Sequence, residues 1–329
     1  MKLVATIDDL LARFLDGVKT ARSPHTARTY SNAANAFRYA LRKHGVDAAT
    51  ARSADLNEDA ISWLVKYLKD LSPATERLYV QAMAGFYEYL AAERLAEVNL
   101  PRLRLLIRQR ARRPGIRLPQ FPAEEIARLL EHVSGPALQM ATEEHERLRA
   151  LRDRAFVFTL ADTGLRVHEA CKLRRGDLDR REQQAVVIGK GDKQAVVRFS
   201  DRSIEAIGGY LDARAALDGN SGKPLASLPL FARHDRGAGR KIKSIGTGTG
   251  RNIIHQRAEE ALGRTASEHI TPHSLRHYFV TTVLRATGNL KMAQELARHT
   301  SIQVTQRYAH LSNDELDRGY HEIFNKTSK

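Results

Sequence analysis

The sequence is poor in cysteine and has no long apolar segment. Cys171 is the single cysteine among 329 residues, which excludes an internal disulfide and a thiolate metal cluster. It lies in an apolar helical pattern, so we expect it to be a small core residue. No apolar run approaches the roughly 20 residues of a membrane-spanning helix. Acids interrupt the first segment, MKLVATIDDLLARF, where a signal peptide would be apolar, so we expect a cytoplasmic protein without a membrane partner.

Two signatures of phosphate and metal chemistry are also missing. The chain has no P-loop of the form G-x-x-x-x-G-K-[ST], and no convincing cluster of carboxylates that would hold a divalent ion. The sequence therefore predicts neither a nucleotide cofactor nor a metal site.

Acidic residues are the minority charge. The chain has 53 Lys and Arg against 38 Asp and Glu, which gives a net charge of +15 at pH 7. Such an excess favours a polyanionic partner, with nucleic acid ahead of an anionic membrane surface. A basic protein whose charge serves only solubility is the alternative.

Helical patterns without strand signals fill residues 1–100. Thr6 and Asp9 have capping-box spacing, and apolar residues then recur at helical intervals. The predicted helices cover residues 6–20, 23–43, 57–70 and 72–94. A chain of this length suits two domains, and we predict that residues 1–100 form the first, an all-helical one.

The second and fourth predicted helices begin with the same string, S-P-x-T-x-R-x-Y, at Ser23 and Ser72. One interpretation is shared helix-start chemistry, in which a serine cap precedes proline. The other is that two similar helices each offer an arginine, Arg28 and Arg77, to a phosphate backbone. The serine and proline fit the first interpretation, which leaves the arginine and tyrosine without an explanation.

Residues 101–122 form a strongly cationic segment, PRLRLLIRQRARRPGIRLPQFP. It holds seven arginines and four prolines and has no acid, so we predict a semi-extended linker. Charged linkers are often only solvated, but a segment of a single sign favours contact with a phosphate backbone. The arginines predicted to contact DNA here are Arg108, Arg110, Arg112 and Arg113.

Residues 123–329 predict a second, α+β domain, so the whole chain is mainly α with a small β-sheet. Helical patterns cover 123–133 and about 147–161, and Thr163-Gly164 then breaks the helix. Arg166 is therefore expected at a new helix N-terminus, where an anion can meet it together with backbone amides. Two β-branched runs, 185–188 and 195–199, flank the turn G-K-G-D-K and predict a β-hairpin with Lys190 at its tip. Taken alone, such a lysine is an ordinary surface residue.

The segment from Thr271 to Tyr308 concentrates side chains that could act on a phosphate. A cap at Thr271 places His273 and Arg276 on one helical face near an N-terminus, and His299 and Tyr308 follow nine residues apart. Guanidinium, imidazole and phenol are the groups that phosphoryl transfer without a metal needs. The apolar face of this helix is expected to enter the core while His273 and Arg276 look out of it, and its residues are Leu275, Phe279 and Val283.

These motifs occur in a familiar order: T-G-L-R-x-x-E, G-K-G-x-K, H-S-L-R-H, then a histidine followed nine residues later by the tyrosine of R-Y-A-H-L-S. The order resembles the tyrosine recombinases, the phage-integrase family that includes the Xer-type recombinases. The resemblance spans the chain, because the N-terminal helices are similar to that family's SAM-like core-binding domain.

The resemblance implies roles for a set of six catalytic residues. Arg166 and Arg276 would clamp the nonbridging oxygens of the scissile phosphate, and Tyr308 would attack phosphorus. Lys190 would protonate the departing 5′-hydroxyl. His273 would act in proton transfer, and His299 would hydrogen-bond the phosphate. Glu169 and Asp177 resemble secondary positions that support the site.

Two positions depart from the family pattern. Arg298 stands where the family usually has the glycine of Leu-Gly-His, either as an extra phosphate contact or as a distortion of the turn. His168 stands where a small residue is common. Neither departure removes a catalytic group. An active site-specific recombinase therefore stays the first hypothesis, an inactive or accessory DNA-binding relative the second, and a type IB topoisomerase the third.

The C-terminal segment predicts an interaction helix. Residues 312–325 begin with a capping box and carry a stripe of apolar residues, Leu316, Tyr320, Ile323 and Phe324. This stripe either docks on its own domain or, as the resemblance favours, packs on a neighbouring protomer. The implied assembly is a homo-tetramer on two double-stranded DNA sites, with a dimer at each, in the cytoplasm and at the nucleoid if the host is a prokaryote.

Overall fold

The computed structural model describes residues 5–112, 122–135, 143–189, 194–235, 242–299 and 301–306. The chain divides into two compact units, Met1–Arg117 and Leu118–Lys329. Three predicted site residues, Arg113, Lys190 and Tyr308, lie outside the described residues, as does the predicted helix 312–325.

The first unit is helical, as predicted. Thr6 forms the expected capping box with Asp9, and the four predicted helices are confirmed, the third continuing into a short 3-10 turn, Leu68–Asp70. Phe37, Phe86 and other apolar side chains from these helices make one buried core. The helices are α1 (Ile7–Ala21), α2 (Pro24–Lys43), α3 (Asp59–Tyr67), α4 (Pro73–Ala92) and α5 (Leu100–Arg110).

The repeated string at the starts of α2 and α4 has a structural explanation for its tyrosines. In both helices the serine Oγ accepts the backbone N–H of the threonine three residues later, at 3.3 Å in α2 and 3.2 Å in α4. Tyr30 and Tyr79 are partly buried against the core of the unit. Arg28 and Arg77 are exposed, so both arginines are available to a partner.

The segment predicted as a semi-extended linker is helical over its first half, and that prediction is wrong for residues 101–110. α5 begins at an Asn99 cap whose side chain accepts the N–H of Arg102 at 3.0 Å. Leu103 and Leu106 are buried in the core of the first unit. Leucines three apart give this arginine-rich segment an apolar face, and burial of that face outweighs charge repulsion between the exposed arginines.

The second unit packs helices around α7, with a small sheet beside them. Its helices are α6 (Ala123–Ser134), α7 (Glu144–Thr163), α8 (Val167–Ala170), α9 (Asp201–Ala213), α10 (Ala215–Gly219), α11 (Thr247–Leu262), α12 (Arg264–Ser267), α13 (Pro272–Thr287), α14 (Leu290–Ala297) and α15 (Ile302–Gln306). The strands are β1 (Leu178–Asp179), β2 (Gln184–Ile188) and β3 (Gln194–Arg198), antiparallel in the order β1-β2-β3. Twelve residues of α7 are buried, so this helix is the centre of the second core.

The sheet and the cysteine agree with the sequence. β2 and β3 pair from Gln184 with Arg198 to Ile188 with Gln194, which confirms the hairpin. Cys171 is 4% exposed, and burial raises the pKa of its thiol to about 12, as suits an unreactive core residue. No helix in the described parts of the chain is long and apolar enough to cross a membrane.

Candidate active site

Arg166 follows a sharp turn that ends α7. Gly164 is left-handed, with φ of +60°, and a Cβ at this position would collide with the ring of Phe279. Both constraints require glycine. The chain then becomes extended at Arg166, which caps α8, so the predicted position of Arg166 at a helix start is confirmed.

Glu169 is the carboxylate that holds this turn. It is 4% exposed, and it accepts the backbone N–H of Arg166 at 2.8 Å and the Nη1 of the same residue at 3.0 Å. Burial raises the pKa of Glu169, but the hydrogen bonds from Arg166 and the charges of Arg298 and Arg166 lower it below its ordinary value. Glu169 is therefore an anion that orients Arg166, as expected of a supporting residue.

Arg276 is buried rather than looking out of the core, contrary to the helical-face prediction. Only 3% of it is exposed, and its guanidinium donates to the backbone carbonyls of Gly164 and Ala297. These carbonyls end α7 and α14, so Arg276 joins the two turns that carry the remaining site residues. Exposed helix ends leave carbonyls without partners, and a buried guanidinium with five N–H groups can satisfy them.

A pair of histidines lies on the first turns of α13. The ring of His273 packs edge-on against His277, with centroids 4.1 Å apart. Desolvation and the charges of Arg276 and Arg166 lower the pKa of His273. Desolvation is the main cause that lowers the pKa of His277 to about 4, and electrostatic interactions with His273 and Arg276 also contribute. His273 was predicted as a site residue and His277 was not. The i, i+4 spacing of the two histidines in P-H-S-L-R-H does place both rings on one helical face.

His299 lies beyond the end of α14 and is tied to α15. Its Nδ1 is 2.8 Å from the hydroxyl Oγ1 of the fully buried Thr305. Desolvation, followed by the charges of Arg276 and Arg166, lowers its pKa to about 4, so the ring is neutral at pH 7. His299 comes two residues after Ala297, whose carbonyl accepts from the guanidinium of Arg276.

Arg166, His273 and Arg276 line one cavity of about 510 Å³. Arg251 and His255 of α11 also line it. These two residues belong to no motif and were not predicted, although they are four apart and share a helical face. Arginines and imidazole N–H groups around one hollow can hold an anion such as a phosphate.

The predicted DNA contacts in the first unit fall into two groups. Arg28, Arg77, Arg108 and Arg110 are exposed, so they are available to phosphates. Arg112 instead has internal partners, which engage part of its guanidinium within the unit. Its Nε donates to Glu76 at 2.5 Å, and its Nη2 donates to the carbonyl of Leu71 at 2.6 Å.

Among the described residues, one group of histidine and carboxylate side chains lies close enough to share a metal ion. It consists of Glu143, His145 and Glu146, all exposed at the start of α7. None of these three residues lines the cavity. The cavity is lined by one carboxylate, Glu268, among three arginines and three histidines, and this excess of donors favours an anion over a cation.

Comparison with known proteins agrees with this arrangement. A family model described as "Phage integrase family" matches residues 121–315. Tyrosine recombinase XerC of Bacillus pumilus (strain SAFR-032) is 31% identical over 90% of this chain and 88% of its own length. Tyrosine recombinase XerC of Myxococcus xanthus is 26% identical over 96% of this chain and 98% of its own.

Solved structures share the fold. XerH site-specific recombinase, in a post-cleavage complex bound to palindromic difH substrate, has a TM-score of 0.66 at 17% identity over 98% of both chains. A lambda integrase dimer bound to a COC′ core site has a TM-score of 0.61 at 15% identity, covering 92% of this chain and 77% of that one. At these identities the likeness concerns the fold alone.

The chain thus belongs to the phage integrase family of tyrosine recombinases. It is a site-specific recombinase of that class, an enzyme of DNA recombination.

Proposed function

We propose that this protein cuts and rejoins double-stranded DNA at a specific sequence through a 3′-phosphotyrosine intermediate and a Holliday junction, without a metal or nucleotide cofactor. The observation that carries the proposal is the convergence of Arg166, His273 and Arg276 on one cavity, with His299 two residues after the Ala297 carbonyl that Arg276 binds. These groups match the transition state of phosphoryl transfer, in which negative charge spreads over the equatorial oxygens.

Arg166 and Arg276 would hold the two nonbridging oxygens of the scissile phosphate. Arg276 is fixed by two backbone carbonyls and Arg166 by Glu169, so neither guanidinium needs to be ordered when DNA binds. Pre-ordered donors stabilise the developing charge without a reorganisation cost. Two arginines and Lys190 together supply the positive charge that divalent ions supply in other phosphoryl-transfer sites.

Tyr308 is the proposed nucleophile. Its phenol oxygen would attack phosphorus, forming the 3′-phosphotyrosine bond while the bond from phosphorus to the 5′-oxygen breaks. Lys190 would give a proton to that departing 5′-oxygen. A phenol of pKa about 10 is a poor nucleophile at neutral pH, and His273, whose lowered pKa leaves it unprotonated at pH 7, would take the phenol proton.

His299 would donate a hydrogen bond to the phosphate. When the Thr305 hydroxyl donates to Nδ1, the neutral ring carries its proton on Nε2, and this proton can reach a phosphate oxygen. A free 5′-hydroxyl from another strand would then reverse the attack and release Tyr308. Because the phosphotyrosine conserves the bond energy of the backbone, rejoining needs no nucleotide.

The assembly we propose is a tetramer that holds two DNA duplexes, with a dimer at each site. The lambda integrase structures support it, since one is described as a tetramer bound to a Holliday junction. The exposed arginines Arg28, Arg77, Arg108 and Arg110 would contact the phosphate backbone, and the net charge of +15 favours such contacts. A protein with this task would act in the cytoplasm, at the nucleoid of a prokaryotic host.

A library of nicked duplexes made from genomic fragments would test the function. Cleavage beside a nick releases a short 5′-ended piece, so the covalent intermediate cannot be reversed and accumulates. We expect denaturation-resistant protein–DNA complexes whose recovered DNA shares one short sequence. Duplex binding without any covalent product would instead identify an accessory DNA-binding protein of recombinase descent.

A further inference from the structure

Arg298 adopts a backbone conformation that arginine rarely takes. Its φ of +56° and ψ of +44° are left-handed, and it ends α14 immediately before His299. A residue with a Cβ is strained in this region, whereas glycine is not. The side chain of Arg298, which brings this strain, makes contacts that glycine could not make.

The side chain of Arg298 forms an ion pair with Glu169. Its Nη2 lies 3.0 Å from Oε2 of Glu169, and the two side chains are 13% and 2% exposed. The same carboxylate holds the backbone N–H and the guanidinium of Arg166. One buried anion, Glu169, is thus shared by Arg166 and by Arg298, which lies 129 residues after Glu169 in sequence.

This ion pair is the second of two connections between the same turns. Arg276 joins the carbonyl of Gly164, just before Arg166, to the carbonyl of Ala297, just before Arg298. The backbone N–H groups of Arg298 and His299 bond to the carbonyls of Glu295 and Gln294, so they are fixed to α14 itself. The ion pair from Arg298 to Glu169 adds a side-chain connection between this end of α14 and the turn that carries Arg166.

On the basis of the proposed function, we infer that Arg298 is a positioning residue for the recombination reaction, which acts through Glu169 to hold Arg166 and His299 in register around the scissile phosphate. A direct phosphate contact by Arg298 fits less well, because its guanidinium lies on Glu169 and it does not line the cavity. The turn itself is not distorted, since Arg298 caps α14 with N–H bonds to the carbonyls of Gln294 and Glu295.

Arg298→Gly separates backbone strain from side-chain function. Glycine accepts the left-handed conformation, so the turn is retained while the ion pair is lost. We expect single-turnover cleavage of a nicked duplex to slow by about tenfold or more, because small displacements of catalytic groups are costly, with duplex affinity unchanged. If the Arg298 side chain has no positioning role, the Arg298→Gly variant will cleave as fast as wild type.

The pH profile adds a readout that a structural role would not change. Burial raises the pKa of Glu169, and the charges of Arg298 and Arg166 oppose it. Lys172, Arg174 and Asp177 line a cavity beside Glu169. Loss of Arg298 removes a positive charge in contact with Glu169, so its pKa rises and it becomes protonated at a higher pH. The acid limb of the cleavage profile should therefore move to higher pH in Arg298→Gly.

The control variants are matched to this change. Arg94 has φ of +53° and is exposed in the first unit, so Arg94→Gly makes the same backbone change away from the site and should cleave as wild type. Arg298→Lys keeps a cation and should recover part of the rate and of the acid limb. If circular dichroism shows that Arg298→Gly is unfolded, Arg298→Met, which keeps the stem without the charge, takes its place and should be equally slow.

The outcomes are distinguishable. Wild-type protein that forms a covalent complex, together with folded charge-removing variants of equal rate and unchanged pH profile, would overturn the positioning role alone. Wild-type protein that forms no covalent complex on any duplex would overturn the proposed function, and with it this role.

Discussion

Two histidines of the site, His277 and His299, are neutral at pH 7. Desolvation first, and then electrostatic interactions that include Arg276, lower their pKa values to about 4. A neutral ring can donate or accept one hydrogen bond at each nitrogen, so the partner of one nitrogen decides what the other can do. When the hydroxyl of Thr305 donates to Nδ1, the proton of His299 is on Nε2, and Thr305 lies three residues before Tyr308.

Thr305→Val should slow DNA cleavage and reduce stability. Valine keeps the shape of threonine but removes the hydroxyl, which leaves Nδ1 of His299 without this partner. The loss of one buried hydrogen bond is expected to lower the free energy of unfolding by about 1–3 kcal/mol. Thr305→Ser is the matched control, because it retains the hydroxyl. Equal single-turnover rates for the valine and serine variants would show that the hydrogen bond does not orient His299.

At the scale of elements, a buried carboxylate fastens the end of α5 to the start of α4. Glu76 is fully buried and accepts Arg112 Nε at 2.5 Å, the Arg112 backbone N–H at 2.8 Å and Lys69 Nζ at 3.1 Å. Burial raises the pKa of Glu76, but these hydrogen bonds lower it below its usual value. Ala27 takes the place of Glu76 in the repeated string at the start of α2. A glutamate is therefore not needed to start such a helix, and Glu76 serves to bind Arg112 and Lys69.

Arg112→Ala should lower the free energy of unfolding of the first unit by about 2–3 kcal/mol, because it strips a buried carboxylate of its main partner. Adding Glu76→Ala should recover part of the loss, since no unpaired charge is then buried. Trp63, the single tryptophan, lies in α3 and reports on this unit through its fluorescence during urea unfolding. A double variant less stable than Arg112→Ala would contradict this account.

Local signals explain which elements the sequence predicts. The caps of α1, α2, α4 and α13 are set by residues within one turn, so Thr6 and Thr271 could be identified directly. The burial of Arg276 could not, because its carbonyl partners are 112 and 21 residues away. The partnership of Arg298 with Glu169 is equally remote. Motif spacing thus predicts the site residues, whereas the contacts that fix them depend on the folded chain.

For the whole molecule, the excess of positive charge should govern DNA binding. With on the order of ten phosphate contacts, affinity should fall about a thousandfold or more between 50 and 200 mM salt. Arg28→Ala combined with Arg77→Ala should reduce the slope of log affinity against log salt by about 2, since each phosphate contact contributes about 0.9. Arg112→Ala should leave the slope unchanged, because Arg112 is held by Glu76. A slope equally reduced by Arg112→Ala would show that Arg112 contacts phosphate after all.

The central claim is that Tyr308 joins the DNA covalently in a site built from arginine and histidine. Mass spectrometry of the protein–DNA complex trapped on a nicked duplex, in the presence of EDTA, tests it most directly. We predict that the linked peptide carries the nucleotide on Tyr308, and that Tyr308→Phe binds the same duplex with equal affinity but forms no covalent complex. A linkage at another residue, or a covalent complex of undiminished yield in Tyr308→Phe, would contradict the account.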